Sequence, residues 1–188
     1  WEYIAANLDD DAEGDHIDES WTIDFGADIR VGFVGAVTED LPSLVSPDGI
    51  AGIGVEDIVT TVNAEADRLT TVEGADVVIV LIHEGAPNTS LEATTDTSTA
   101  WGAIVDGLGA NPNIDGIVSG HTHLAYNHAL ANFHGRSLPF PVVSAGQYGT
   151  NLNQLLITVD DDTDTITSIQ QNLLALENED GTPKYPVD

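Results

Sequence analysis

The chain has 188 residues, enough for one domain with a real core, and 41% of them are apolar, an ordinary globular fraction. Its 32 Asp and Glu against 4 Lys and Arg give a formal net charge of −28, so nucleic acid and anionic membranes are poor partners for its body. There is no cysteine, which rules out disulfides and thiolate sites, and no run approaches the roughly 20 apolar residues that insert across a bilayer.

In chain order, "IRVGFVGAV" (29–37) reads as the first strand. In "GVEDIVTTVNAEADRL" (54–69), Val55, Ile58, Val59, Val62, Ala66 and Leu69 recur at the three-and-four spacing of one helix face. "DVVIVLIH" (76–83) follows, and its unbroken apolar run from Val77 to Ile82 fits a strand covered on both faces, as in a parallel sheet. Trp101, Ile104, Val105 and Leu108 predict a second helix, with Thr97 or Ser98 as N-cap and Gly109 as the stop. "IDGIVSG" (114–120) is the third strand. Strand, helix, strand, helix, strand is the order of βαβ units in an α/β fold. "NQLLITVD" and "DTITSIQQNLL" around "DDTD" predict an antiparallel hairpin closing a sheet edge, and the polar tail 177–188 reads as a linker.

Two of these strands end in histidine. His83 closes "VVIVLIH", and His121 and His123 follow "GIVSG". The carboxyl ends of strands are where sites assemble in open α/β sheets, and neighbouring strands lie about 4.8 Å apart. If 121–123 is extended, residues i and i+2 face the same side, so both rings can meet His83. A lone strand-end histidine is more often structural. The coincidence of His83 with a His-x-His pair at one sheet edge points instead to a metal site. An imidazole nitrogen serves one ion only, so a two-metal site would also need a bridging carboxylate. Glu39 and Asp40, after the first strand, are the weak candidates within reach.

The ordered set "RVGFVGAVT", "VIVLIHEG", "GHTH" and "VSAGQYGTNLNQLLITVD" resembles the 5′-nucleotidase/UDP-sugar hydrolase branch of the calcineurin-like metallophosphoesterases along nearly the whole chain. The resemblance implies part of a four-layer α-β-β-α sandwich, with a mixed sheet, βαβ units and a C-terminal antiparallel hairpin. It implies two divalent ions, zinc, manganese or iron, with His83 and His121 on one and His123 on the other, and hydroxide activated by both metals attacking phosphorus. The substrate class implied is nucleotide phosphates or nucleotide sugars, in a secreted or cell-wall-associated bacterial enzyme. The family's Asp-x-His, Gly-Asp and Gly-Asn-His blocks have no counterpart here, and Gly14-Asp15-His16 falls too late in the pattern, so His16 reads as surface. The expectation is therefore the second half of a catalytic domain (1–176), with no catalytic residue of its own beyond the three metal ligands. Residues 177–188 would lead towards a C-terminal nucleotidase domain. The partners implied are the missing N-terminal half and that C-terminal domain. The alternatives are a non-catalytic acidic module that keeps the fold, or a related cyclic-nucleotide or sulfur-ester hydrolase.

His128, Tyr126 and Asn127 read as loop residues with hydrogen bonds, and His134 as a loop residue. Arg136 reads as a partner in a structural ion pair, and the acidic run 160–164 as a hairpin turn.

Overall fold

The computed structural model describes residues 2–10, 17–26, 29–160, 162–178 and 180–185. Gly14, Asp15 and His16 lie outside the described residues. In chain order the elements are β1 (Leu8–Asp10), β2 (Ser20–Phe25), β3 (Ile29–Val37), α1 (Leu41–Leu44), β4 (Ile53–Val55), α2 (Ile58–Thr71) and β5 (Val77–His83). There follow α3 (Leu91–Thr95), α4 (Ala100–Gly109), β6 (Gly116–Ser119), β7 (Ala125–Leu130), β8 (Phe140–Ala145), β9 (Asn151–Asp160) and β10 (Thr165–Ala175).

The main sheet has the order β2-β3-β5-β6-β8-β7. Its four inner strands are parallel, and β2 and β7 run antiparallel at the edges. The parallel register is fixed at the amino ends by two aspartates used in the same way. Asp76, just before β5, accepts from Arg30 N at 2.8 Å, and Asp115, just before β6, accepts from Val78 N at 2.9 Å. Each satisfies a strand-end donor that the ladder leaves free.

Alternation along β5 divides its side chains between two faces. Val78, Val80 and Ile82 join Val62, Ala66 and Leu69 of α2 and Trp101, Val105 and Leu108 of α4 in one buried core. Val77, Ile79 and Leu81 face the other way, as does His83 at the strand end. There they line a groove of about 500 Å³ with Val31, Phe33 and, from β9, Leu155, Ile157 and Val159. The described layers are therefore helices, main sheet and hairpin, in a mixed α/β fold.

Several local expectations shift. The first helix begins at Ile58, not Val55. Val55 pairs with Leu8 in a small sheet, and Asp57 caps the helix by accepting from Thr60 N at 2.8 Å. The cap of α4 is Thr99, which accepts from Gly102 N at 3.0 Å, rather than Thr97 or Ser98. The C-terminal hairpin forms as expected but closes no edge: β9 and β10 make their own two-stranded sheet over the face of the larger one. Asn127 helps to hold it there, donating to Gln171 O at 3.3 Å. Within the tail, Asn178 N bonds to Thr182 O at 2.9 Å and Lys184 N to Leu176 O at 2.8 Å, so this segment folds back on the hairpin end.

Candidate metal centre

β5 and β6 are adjacent and parallel, with Ile82 opposite Ser119, so the residues just past each strand emerge side by side. The rings of His83 and His121 meet there edge to face, with centroids 5.0 Å apart. His83 is exposed, yet partial desolvation, reinforced by neighbouring His121 and to a smaller degree His123, lowers the pKa of its imidazole, while Glu84 opposes the shift. His123 is exposed and forms no ring contact with the pair. Among the described residues, no three His, Asp or Glu side chains converge closely enough to hold a cation by themselves.

The reason is backbone conformation. His121 and His123 have φ of 64° and 62°, in the left-handed region, and Thr122 N bonds back to Gly120 O at 2.7 Å. The segment is a tight bend rather than the extended stretch expected, so its two rings do not lie on one face as successive strand residues would. Non-glycine residues held in that region carry strain of order 1 kcal/mol or more each, and such positions cluster at functional sites.

The bend is set by what packs beneath it. Gly120 N donates to Glu84 O at 3.1 Å, joining the two strand ends directly. Below, Tyr126 OH accepts from Ala86 N at 3.2 Å and lies 2.6 Å from Ser119 Oγ, which itself donates to Val143 O. Burial pushes the Tyr126 phenol up, keeping it a neutral link between three strands.

Two of the three nearby carboxylates are already engaged. Glu39 caps α2 by accepting from Ile58 N at 3.0 Å, so that candidate bridging group serves a helix end. Asp40 precedes α1 without a side-chain cap bond and is exposed. Glu84, which sequence reasoning passed over, accepts from Thr38 Oγ1 at 2.8 Å and Gly85 N at 2.9 Å. Its signal was its position: it directly follows a strand-end histidine, on the opposite side of the chain.

The other histidines lie elsewhere. His128 sits in β7 opposite Val142, not in a loop, and stacks on Tyr126 at 5.4 Å. Burial lowers its pKa against a hydrogen bond to the Thr89 backbone. His134, in a short 3-10 turn, pairs with Asp106 at 3.0 Å. Among the described residues, Arg136 forms no carboxylate pair. Its guanidinium donates to Gly109 O at 3.1 Å and to Asn111 O, at the carboxyl end of α4, and lies over Phe140.

Solved structures that share this fold include 5′-nucleotidases and calcineurin-like phosphoesterases, the class to which the ordered motifs pointed. Over 131 residues the chain is 30% identical to the trifunctional nucleotide phosphoesterase protein YfkN of Bacillus subtilis (strain 168), a match covering 66% of this chain and 8% of that protein. The chain thus spans only a small part of that relative's length. The structure of calcineurin-like phosphoesterase YfkN from Bacillus subtilis superposes with a TM-score of 0.69 at 19% identity, over 93% of this chain and 56% of that one. A 5′-nucleotidase precursor from Thermus thermophilus gives 0.68 at 18% identity, over 93% of this chain and 34% of its own. The sulfate thiohydrolase SoxB of Thermus thermophilus gives 0.67 at 19%, over 93% and 28%. No family model matches the chain.

Proposed function

We propose that the chain supplies the histidine-bearing half of a metal-dependent phosphoester hydrolase of 5′-nucleotidase type, acting on nucleotide phosphates or nucleotide sugars. The observation that supports it most is the meeting of His83 and His121 from two parallel strand ends, 5.0 Å between ring centroids. Imidazole donors suit zinc, manganese or iron, so the residues present fit one edge of such a site. In this reading His83 and His121 hold one ion and His123 reaches a second. The ions would supply Lewis acidity at phosphorus and activation of the attacking water.

The chain's own contribution is orientation. The left-handed bend at His121 and His123 splits the pair between two positions instead of pointing both at one. Glu39 and Glu84 already accept from Ile58 N, Thr38 and Gly85, so in this reading a complementing half would supply the bridging carboxylate and the remaining ligands. The same complementing half would cover the groove lined by Phe33, Ile79 and Leu81, completing a four-layer sandwich. Residues 1–176 then form one part of the catalytic domain and 177–188 its exit towards a nucleotidase domain. A secreted or wall-associated setting is supported by the excess of acid together with the family resemblance. Among the described residues, no helix is long and apolar enough to cross a membrane.

A sulfur-ester reading has its own support in the shared fold of the sulfate thiohydrolase, but the 30% identity to a nucleotide phosphoesterase favours phosphorus. The test is phosphate release from a nucleoside 5′-monophosphate and from a nucleotide sugar, with manganese or zinc. The 188-residue chain alone should give background rates. Joined to a half carrying an Asp-x-His and Gly-Asn-His series, it should hydrolyse them in a manner lost in His121→Ala. A full rate from the chain alone, or an unaffected rate in His121→Ala, overturns the reading; no hydrolysis by the joined protein favours the non-catalytic module.

A further inference from the structure

Three strand ends meet around Glu84. Thr38, the residue after β3, is buried and donates its hydroxyl to Glu84 Oε2 at 2.8 Å, while the hydroxyl oxygen itself accepts from Asp40 N at 3.2 Å. Gly85 N closes onto Glu84 Oε1 at 2.9 Å, curling the chain after β5 back on itself. The main-chain oxygen of Glu84 then receives Gly120 N, at the end of β6, at 3.1 Å. One residue thus ties the β3 end through its side chain and the β6 end through its backbone, and His83 and His121 are the residues next to those two ties.

We propose that Glu84 is a positioning residue that fixes the separation of the His83 and His121 rings, an inference that rests on the metal reading above. A ligand ring supported by hydrogen bonds to its backbone neighbours keeps its geometry without being pulled into place by the ion. The carboxylate acts here as a double acceptor rather than as a charge. A glutamine can keep both bonds, because the Thr38 hydroxyl can turn to accept from its amide. Alanine keeps neither side-chain bond, and only its main-chain oxygen still receives Gly120 N.

The test uses Cu(II) as a probe, bound to the whole 188-residue chain, with electron spin-echo modulation counting the coordinated imidazole nitrogens. The wild-type chain should show two imidazoles, falling to one in His83→Ala and in His121→Ala. Glu84→Ala and Thr38→Val should also fall to one, and Glu84→Gln should restore two. Thr38→Val is close to isosteric, so it carries the test should Glu84→Ala not fold. Two imidazoles in both Glu84→Ala and Thr38→Val would mean that Glu84 merely stitches loops, overturning the proposal while leaving the metal reading intact. One imidazole in Glu84→Gln would assign the effect to charge and equally overturn it. A wild-type signal indifferent to His83→Ala and His121→Ala would overturn the metal reading, and the proposal with it.

Discussion

A Cβ placed on Gly85 would stand 2.5 Å from the carbonyl oxygen of Gly120 and 2.9 Å from Thr122 Oγ1. The loops after β5 and β6 therefore touch backbone to backbone, and that contact is what brings His83 beside His121. Gly85→Ala must push the two loops apart. It should lower stability by about 1–3 kcal/mol, as overpacking of a tight site does, and weaken metal binding as well. Urea unfolding alongside a zinc titration checks both, and a variant as stable and as tightly binding as wild type would contradict the contact.

The groove side of the main sheet leaves Phe25 57% exposed and Leu81 38% exposed beside Val31, Phe33 and Ile79. An apolar face of this kind should drive self-association of the isolated chain. The charge of −28 opposes association, so added salt should promote it by screening. Sedimentation velocity should show a larger species that grows with salt and recedes in a Phe25→Asp, Leu81→Asp double variant. A monomer at every salt concentration would contradict the prediction.

Asp115 is partly buried between β5 and β6, and burial raises its pKa from 3.8 to about 6. A carboxyl with a raised folded pKa binds its proton better when folded. Its contribution to stability therefore falls as pH rises from about 4 to about 6. Asp115→Asn keeps an acceptor for Val78 N and carries no charge. Relative to wild type, its stability should improve by roughly 2–3 kcal/mol between about pH 4 and about pH 7.5. Parallel unfolding curves at the two pH values would contradict this.

Arg136 satisfies Gly109 O and Asn111 O at the end of α4 with a planar fork. Arg136→Leu leaves those carbonyls without their donor and should cost about 1–3 kcal/mol. Arg136→Lys should recover little of it, since an ammonium cannot reach both with fixed geometry. Thermal unfolding of the two variants separates fork geometry from simple charge.

The apolar runs made two of the parallel strands plain: the sequence bounds of β3 match residue for residue, and those of β5 to within one. β7, at the sheet edge, and β8, an inner parallel strand, were harder. β7 is "AYNHAL", where one face is polar and pairs with the hairpin, so no apolar run marks it, and β8 carries Pro141, which disguises a strand. The hairpin itself was legible, but whether it joins a sheet or lies across one is a tertiary fact that alternation does not encode. At the site, both strand-end histidine positions were visible. The left-handed bend was not, because positive φ runs against the local preference of histidine, and the bend packs on Gly85 of a loop distant in sequence. Glu84 stayed hidden because 32 acidic residues mask the one that accepts from Thr38.

The central claim is that His83 and His121 together hold a divalent ion, and zinc titration calorimetry on the 188-residue chain tests it most directly. His83→Ala and His121→Ala should each weaken zinc binding by at least about tenfold. His134→Ala, whose ring is paired with Asp106 away from the site, should leave it unchanged. Zinc affinity undiminished in both of the first two variants would contradict the account.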